Sequence, residues 1–248
     1  MRFALLIVIL IVLTAGVWLD GRSVEARLLR ADPQIAAVDP VLRNFAVTRG
    51  RPLFDAHCAR CHGATSRGDP SKGVPDLADS DWLYGAGNVS DIEQVINYGI
   101  RSYNPRARNL AIMPAFARLH PDPRNSKILP LSARDIHDLV EFLMLLQRRP
   151  ADNAAAQRGA SLYPGKAGCY DCHAADAKGD SAVGAPNLTD RVTLYGDGSR
   201  ESLFSSIAYG RQGECPGWLE KLGPARVREL AVFVYSLSEI GSPQHAGP

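Results

Sequence analysis

The sequence predicts a mainly α-helical protein, an N-terminal transmembrane helix followed by two tandem copies of one small helical domain. Three observations carry this. Residues 3–19 contain no charged side chain. From residue 44 onward the chain repeats itself, which is the mark of a duplicated structural unit. Each copy ends in a segment with apolar residues at helical spacing, such as Ile136, Leu139, Val140 and Leu143. At 248 residues the chain is long enough for two small domains. Its 28 basic and 26 acidic residues nearly balance, so it lacks the cationic excess of a nucleic-acid binder.

The elements follow in order. The apolar run from Phe3 to Leu19 spans about 25 Å as a helix, slightly less than a ~30 Å hydrocarbon core. An uncleaved anchor and a signal peptide are both open. Trp18 suits a membrane interface, and the small residues of a cleavage site are weakly represented, which favours an anchor over residues 1–20. Either reading puts the rest of the chain outside the cytoplasmic membrane. Residues 21–43 are expected to be a tether with a short helix, 44–148 a first domain, 154–240 a second, and 241–248 a disordered tail. Pro150, Asp152 and Asn153 mark the linker.

An offset of 111 superposes the two copies without a gap. Cys58, Cys61 and His62 map to Cys169, Cys172 and His173; Gly73, Pro75 and Leu77 to Gly184, Pro186 and Leu188; Leu83-Tyr84-Gly85 to Leu194-Tyr195-Gly196. The register then breaks. Met113-Pro114 faces Cys215-Pro216 at an offset of 102, because the first copy has nine extra residues within 101–112. A second insertion at 120–129 brings the closing helices to an offset of 91. Within each copy a short helix should lead into the cysteine pair. A Gly/Pro-rich loop should follow, then a helix near 90–98 or 201–209, a further loop and the closing helix. Ser132 and Asp135 have the spacing of a capping box for the first closing helix.

Two Cys-x-x-Cys-His motifs in register define the chemistry. Two cysteines three apart can each form a thioether to one porphyrin edge, and the adjacent histidine then supplies the proximal iron ligand. Zinc would have to draw its ligands from positions 111 apart, against the repeat. A redox disulfide of the thioredoxin type needs a βαβ context that the sequence lacks. The motifs therefore predict two covalently bound haem c groups, one on Cys58, Cys61 and His62, the other on Cys169, Cys172 and His173. Pro75 and Pro186 lie 13 residues after each histidine. Each is either a turn residue or the carbonyl that orients the histidine ring.

The sixth ligands differ. Met113, in a loop 51 residues after His62, is the natural partner of the first haem. His/Met ligation raises a haem potential. The second copy contains no methionine, and Cys215 stands at the matching position. As a thiolate it would complete a His/Cys site on the second haem with a lowered potential. A neutral buried thiol, ligation in the ferric state alone, and replacement by a displaced histidine such as His245 remain open. His57, His120 and His137 have no counterpart in the repeat. Trp82, Tyr84, Tyr195 and Trp218 are candidates for packing on haem edges or for core positions.

The motifs and their context, including Gly184-Ala185-Pro186-Asn187-Leu188-Thr189-Asp190, Leu194-Tyr195-Gly196 and Ala208-Tyr209-Gly210-Arg211-Gln212-Gly213, resemble subunit III of cbb3-type cytochrome c oxidases, built from class I cytochrome c domains. The resemblance covers roughly residues 26–238. It implies proline carbonyls as partners of the proximal histidines and a periplasmic position at the bacterial inner membrane. It implies partners among haem-copper oxidase subunits and donor cytochromes; the balanced charge argues against nucleic acid as a partner. The family expects methionine where Cys215 stands. Two other functions are compatible with the residues: a thiosulfate-type sulfur oxidoreductase whose His/Cys haem is catalytic, and a free-standing shuttle. A dihaem peroxidase would need an opened distal site on the first haem, for which the sequence gives no sign.

Overall fold

The computed structural model describes residues 21–241, and within them the protein is helical. The expected anchor and most of the expected tail lie outside the described residues. Among the described residues no helix is long and apolar enough to cross a membrane.

Helix α1 covers residues 21–30. Helix α2 (Pro33–Val38) starts at Asp32, whose carboxylate accepts from the Gln34 and Ile35 N–H groups. Asp39 caps α3 (Pro40–His57) in the same way, with proline again in first position, where a missing N–H costs nothing. A single turn, α4 (Ala59–His62), carries the first motif. Asn88 caps α5 (Val89–Tyr98). Helix α6 (Ala133–Leu146) opens with the predicted capping box, Ser132 and Asp135 each accepting from the other's N–H. Asp152 caps α7 (Asn153–Leu162), α8 (Tyr170–His173) carries the second motif, and Ser199 caps α9 (Arg200–Tyr209). Helix α10 (Leu219–Gly241) breaks at Gly223, with φ 75° and ψ 165°, so its long arm starts at Pro224.

Residues 21–43 are not a loose tether. Leu28, Ala36 and Ala37 are fully buried, in one core with Val227, Leu230 and Ala231 of α10. Arg228 fixes this packing by donating to the Leu28 and Ala31 carbonyls and pairing with Glu93 at 2.8 Å.

The two expected domains are sequence repeats, but they are not separate bodies. The closing helices have changed places. Helix α10, from the second copy, packs on α3 and α5 of the first, and α6, from the first copy, packs on α7 and α9 of the second. Two cores result. One joins Phe54, Val89 and Ile92 to Val227, Leu230 and Phe233; the other joins Ile136, Leu139 and Val140 to Tyr163, Ile207 and Ala208. The helix crossings are equivalent. At Gly50 an added Cβ would lie 2.5 Å from the Glu229 carbonyl oxygen and 2.6 Å from Phe233 Cβ. At Gly159 it would collide with the Asp138 carbonyl and approach Phe142. Beside these crossings Phe54 meets Phe233 and Tyr163 meets Phe142, each at 5.5 Å between ring centroids.

The loops between the cores obey the same reciprocity. The Gly85 N–H donates to the Ser181 carbonyl and the Gly196 N–H to the Pro70 carbonyl, positions related by the 111 offset. The Tyr84 ring lies on Gly184 and the Tyr195 ring on Gly73. Glu141 of α6 ties the second core together. It accepts from Arg200 Nε at 2.6 Å and from the Asp152 N–H at 2.7 Å. Asp138 accepts a two-pronged bond from Arg158 at 2.6 and 2.7 Å.

Candidate haem sites

The first motif begins where α3 ends, and the second follows α7 after a short turn. The Cys58 N–H bonds to the Phe54 carbonyl, and one tight turn then brings the Cys61 and His62 N–H groups back to the Cys58 carbonyl. Cys169, Cys172 and His173 repeat this around the Cys169 carbonyl. After each histidine the chain doubles back through paired bonds, Gly68 N–H to His62 and Leu77 N–H to Ser66, then Gly179 to His173 and Leu188 to Ala177. These loops carry the prolines to the histidine rings. His62 Nδ1 lies 3.2 Å from the Pro75 carbonyl oxygen and His173 Nδ1 3.0 Å from that of Pro186. A carbonyl can only accept, so Nδ1 carries the proton and Nε2 is the free, unprotonated nitrogen. Burial holds both imidazoles below the usual histidine range, against the opposing pull of the carbonyl. A neutral imidazole with a fixed tautomer is the state that binds iron.

The loops that follow α5 and α9 cross between the cores. The Cys215 N–H donates to the Ile100 carbonyl and the Cys215 carbonyl accepts the Ile100 N–H in return; Met113 and Arg211 make the reciprocal pair at 3.1 and 3.2 Å. Gly99 and Gly210, both at positive φ, allow this approach, since side chains there would run into the Cys215 and Met113 carbonyls. Cys215 therefore faces the first motif. Its thiol is near enough to Cys58 and Cys61 to feel their charge, and Trp218 stacks against His57 at 5.0 Å. Met113 packs in the other core, with Cys169 and Leu188. The sequence pairs Met113 with the first motif and Cys215 with the second; in the structure the two side chains lie the other way round. Each of these loops precedes a closing helix that has crossed, and it crosses with it.

In the haem-free chain, burial first and neighbouring thiols second push Cys58 up to about 11. Burial likewise raises Cys215 to about 11 and Cys169 to about 12. The residues fit two haem groups. Each site has a cysteine pair at one turn's spacing, a free Nε2 and a sulfur-bearing side chain from the opposing loop. Two buried polar atoms flanking the Cys215 loop, Asn97 Oδ1 and Arg108 Nε, have no partner among the described residues.

Between the sites two arginines, to which the motifs gave no role, engage the candidate tyrosines. Arg101 donates to Tyr84 Oη at 3.0 Å and to the Gly213 and Ala111 carbonyls, while Arg211 lies 4.4 Å over the Tyr195 ring. Arg211 matches Ile100 in the repeat, so the duplication carries no signal for it. Trp82 packs against the first core and against Gly87. His120 and His137 are exposed, as surface histidines, and His245 lies outside the described residues.

Two haem-binding motifs on paired helical cores, each histidine oriented by a proline carbonyl, define a dihaem c-type cytochrome, and comparison with known proteins agrees. Residues 47–147 match the cytochrome c family, and residues 154–234 match cytochrome c oxidase, cbb3-type, subunit III. The chain is 34% identical over 215 residues to the cbb3-type cytochrome c oxidase subunit FixP of Sinorhizobium medicae, covering 87% of this chain and 68% of that one. It is 32% identical over 215 residues to subunit CcoP of Cereibacter sphaeroides, covering 87% and 69%. Against subunit CcoP of Rhodobacter capsulatus the figures are 34% over 225 residues, 88% and 71%. The chain belongs to the family of cbb3-type cytochrome c oxidase subunit III. Its cofactors are two covalently bound haem c groups.

Proposed function

We propose that this protein receives electrons from a donor cytochrome and delivers them to the haem-copper core of a cbb3-type oxidase. In this reading it works at the periplasmic face of a bacterial inner membrane, held there by residues 1–20. The observation that carries it is the pair of oriented histidines, His62 on Pro75 and His173 on Pro186, each beside its cysteine pair. The first haem is attached through Cys58 and Cys61 and held by His62 and Cys215. The second is attached through Cys169 and Cys172 and held by His173 and Met113. When bound, the iron changes charge by one electron with no change of bonding partner. The polypeptide's part is to fix the rings, exclude water and set the potentials. Cys215, a neutral thiol in the haem-free chain, would give up its proton on binding iron; as a thiolate it would stabilise the ferric state and make the first haem the low-potential one.

Affinity purification of a C-terminally tagged chain from native membranes tests the assignment. Co-elution of a haem-copper subunit in the fraction that stains for covalent haem is expected, as is failure of thiosulfate to reduce the pure protein. A haem-stained chain that elutes without any oxidase subunit, or one that thiosulfate reduces, overturns it.

A further inference from the structure

The first repeat differs from the second mainly by its two insertions, and the segment that holds them and the residues between carries most of the molecule's charge asymmetry. Residues 101–130 hold six arginine or lysine residues against one acid, Asp122. The rest of the chain has 22 basic against 25 acidic residues. The insertions are joined in space, with Arg124 reaching Asn109 at 3.4 Å. Arg118 and Lys127 are exposed and make no ion pair among the described residues, and Arg124 is held only loosely by Asp122 at 3.6 Å. Among these cations stand apolar side chains turned to solvent: Leu110 and Leu119 are each 77% exposed. This surface adjoins Met113, which lines a cavity of about 160 Å³ with Ile112, Arg118, Tyr209 and Arg211.

Exposed apolar side chains among free or loosely held cations beside a redox centre are what a transient electron-transfer complex requires: charge brings the partners together, and small apolar contacts let them part. We propose that the insertions form a docking surface for an electron-carrying protein with an acidic face, which meets the chain at the Met113 haem. This rests on the dihaem reading given above. In the encounter the reduced partner loses one electron and the ferric iron held by His173 and Met113 gains it; no bond forms or breaks.

Stopped-flow reduction of the purified dihaem protein tests this, with flavodoxin hydroquinone as acidic donor, horse-heart ferrocytochrome c as basic donor and duroquinol as neutral donor. The rate with flavodoxin should fall steeply as salt is raised. In the triple variant R118E/R124E/K127E it should drop about tenfold at low salt and lose most of its salt dependence. The neutralised variant R118Q/R124Q/K127Q should fall between, and duroquinol should reduce all three alike. Flavodoxin rates equal in all three proteins, or a wild-type preference for the basic donor, overturn the proposal. So does loss of binding to phosphatidylglycerol vesicles in the variants while flavodoxin rates hold, which would assign the surface to lipid. A chain that duroquinol cannot reduce at all would instead contradict the dihaem reading.

Discussion

At the level of single residues, the chemistry lies in which atom faces the iron. Pro75 and Pro186 were ambiguous in the sequence because a proline 13 residues downstream is equally a turn residue. The loop bonds around Gly68 and Gly179 bring their carbonyls to Nδ1 and resolve the ambiguity. Replacing Cys215 by methionine exchanges an anionic ligand for a neutral one. The first haem's potential should rise, within the ~0.8 V that axial ligands span, while the second stays put. A spectroelectrochemical titration reads both. Movement of the higher-potential haem alone would contradict the ligand assignment. Acid should weaken the fold at several residues in the same direction. Bonds from Arg158, Arg200 and Lys166 hold Asp138, Glu141 and Asp135 below the usual carboxylate range. In each case the unfolded chain binds protons more readily, so stability is present above the ordinary pKa and is lost as pH falls through the lowered one. Denaturant midpoints should therefore decline as pH falls below about 4, where these carboxylates begin to take up protons in the unfolded chain. A midpoint that stays flat down to pH 3 would exclude this linkage.

At the level of elements, the helices follow from local signals. Asp32, Asp39, Asn88, Ser132, Asp152 and Ser199 cap their helices with side-chain oxygens, and the closing stripe Ile136, Leu139, Val140 and Leu143 is buried as its spacing requires. The partners of the closing helices were not legible. Phe142 and Phe233, or Asp138 and Glu229, stand at equivalent positions of α6 and α10. Two helices with matching faces satisfy either core, so the repeat alone does not say which packs where. Connection geometry decides. The loops leave α5 and α9 through Gly99 and Gly210 and carry everything beyond them across. The crossings themselves are testable. Gly50→Val drives a branched side chain into the Glu229 backbone, and Gly159→Val into that of Asp138. Each should cost about 2 kcal/mol or more, because backbone cannot withdraw as a side-chain tip can. Phe54→Ala should cost about 3–5 kcal/mol through the cavity it leaves beside Phe233. Equilibrium denaturation of each variant measures this. An effect of Gly50→Val below half of the predicted cost would show that α3 and α10 do not meet so closely.

At the level of the whole molecule, exchange makes the two repeats one folding unit. A boundary near residues 148–154 is visible in the sequence, where Pro150 and Asp152 interrupt the helices. Yet no core closes on either side of it alone. Residues 44–148 expressed alone should fail to give a stable monomeric cytochrome, since α3 and α5 would lack α10. Size-exclusion chromatography with haem stain checks this, and a stable monohaem monomer would contradict it.

The most direct test of the account combines haem attachment with the crossed ligands. A C58A/C61A chain, matured in a host that attaches haem c, should gain the mass of one haem. On that background Met113→Ala should convert the remaining ferric haem from low to high spin by optical and electron paramagnetic spectra. Cys215→Ala should leave it unchanged. A spectrum that responds to Cys215→Ala and ignores Met113→Ala, or a mass with no haem at all, would contradict it.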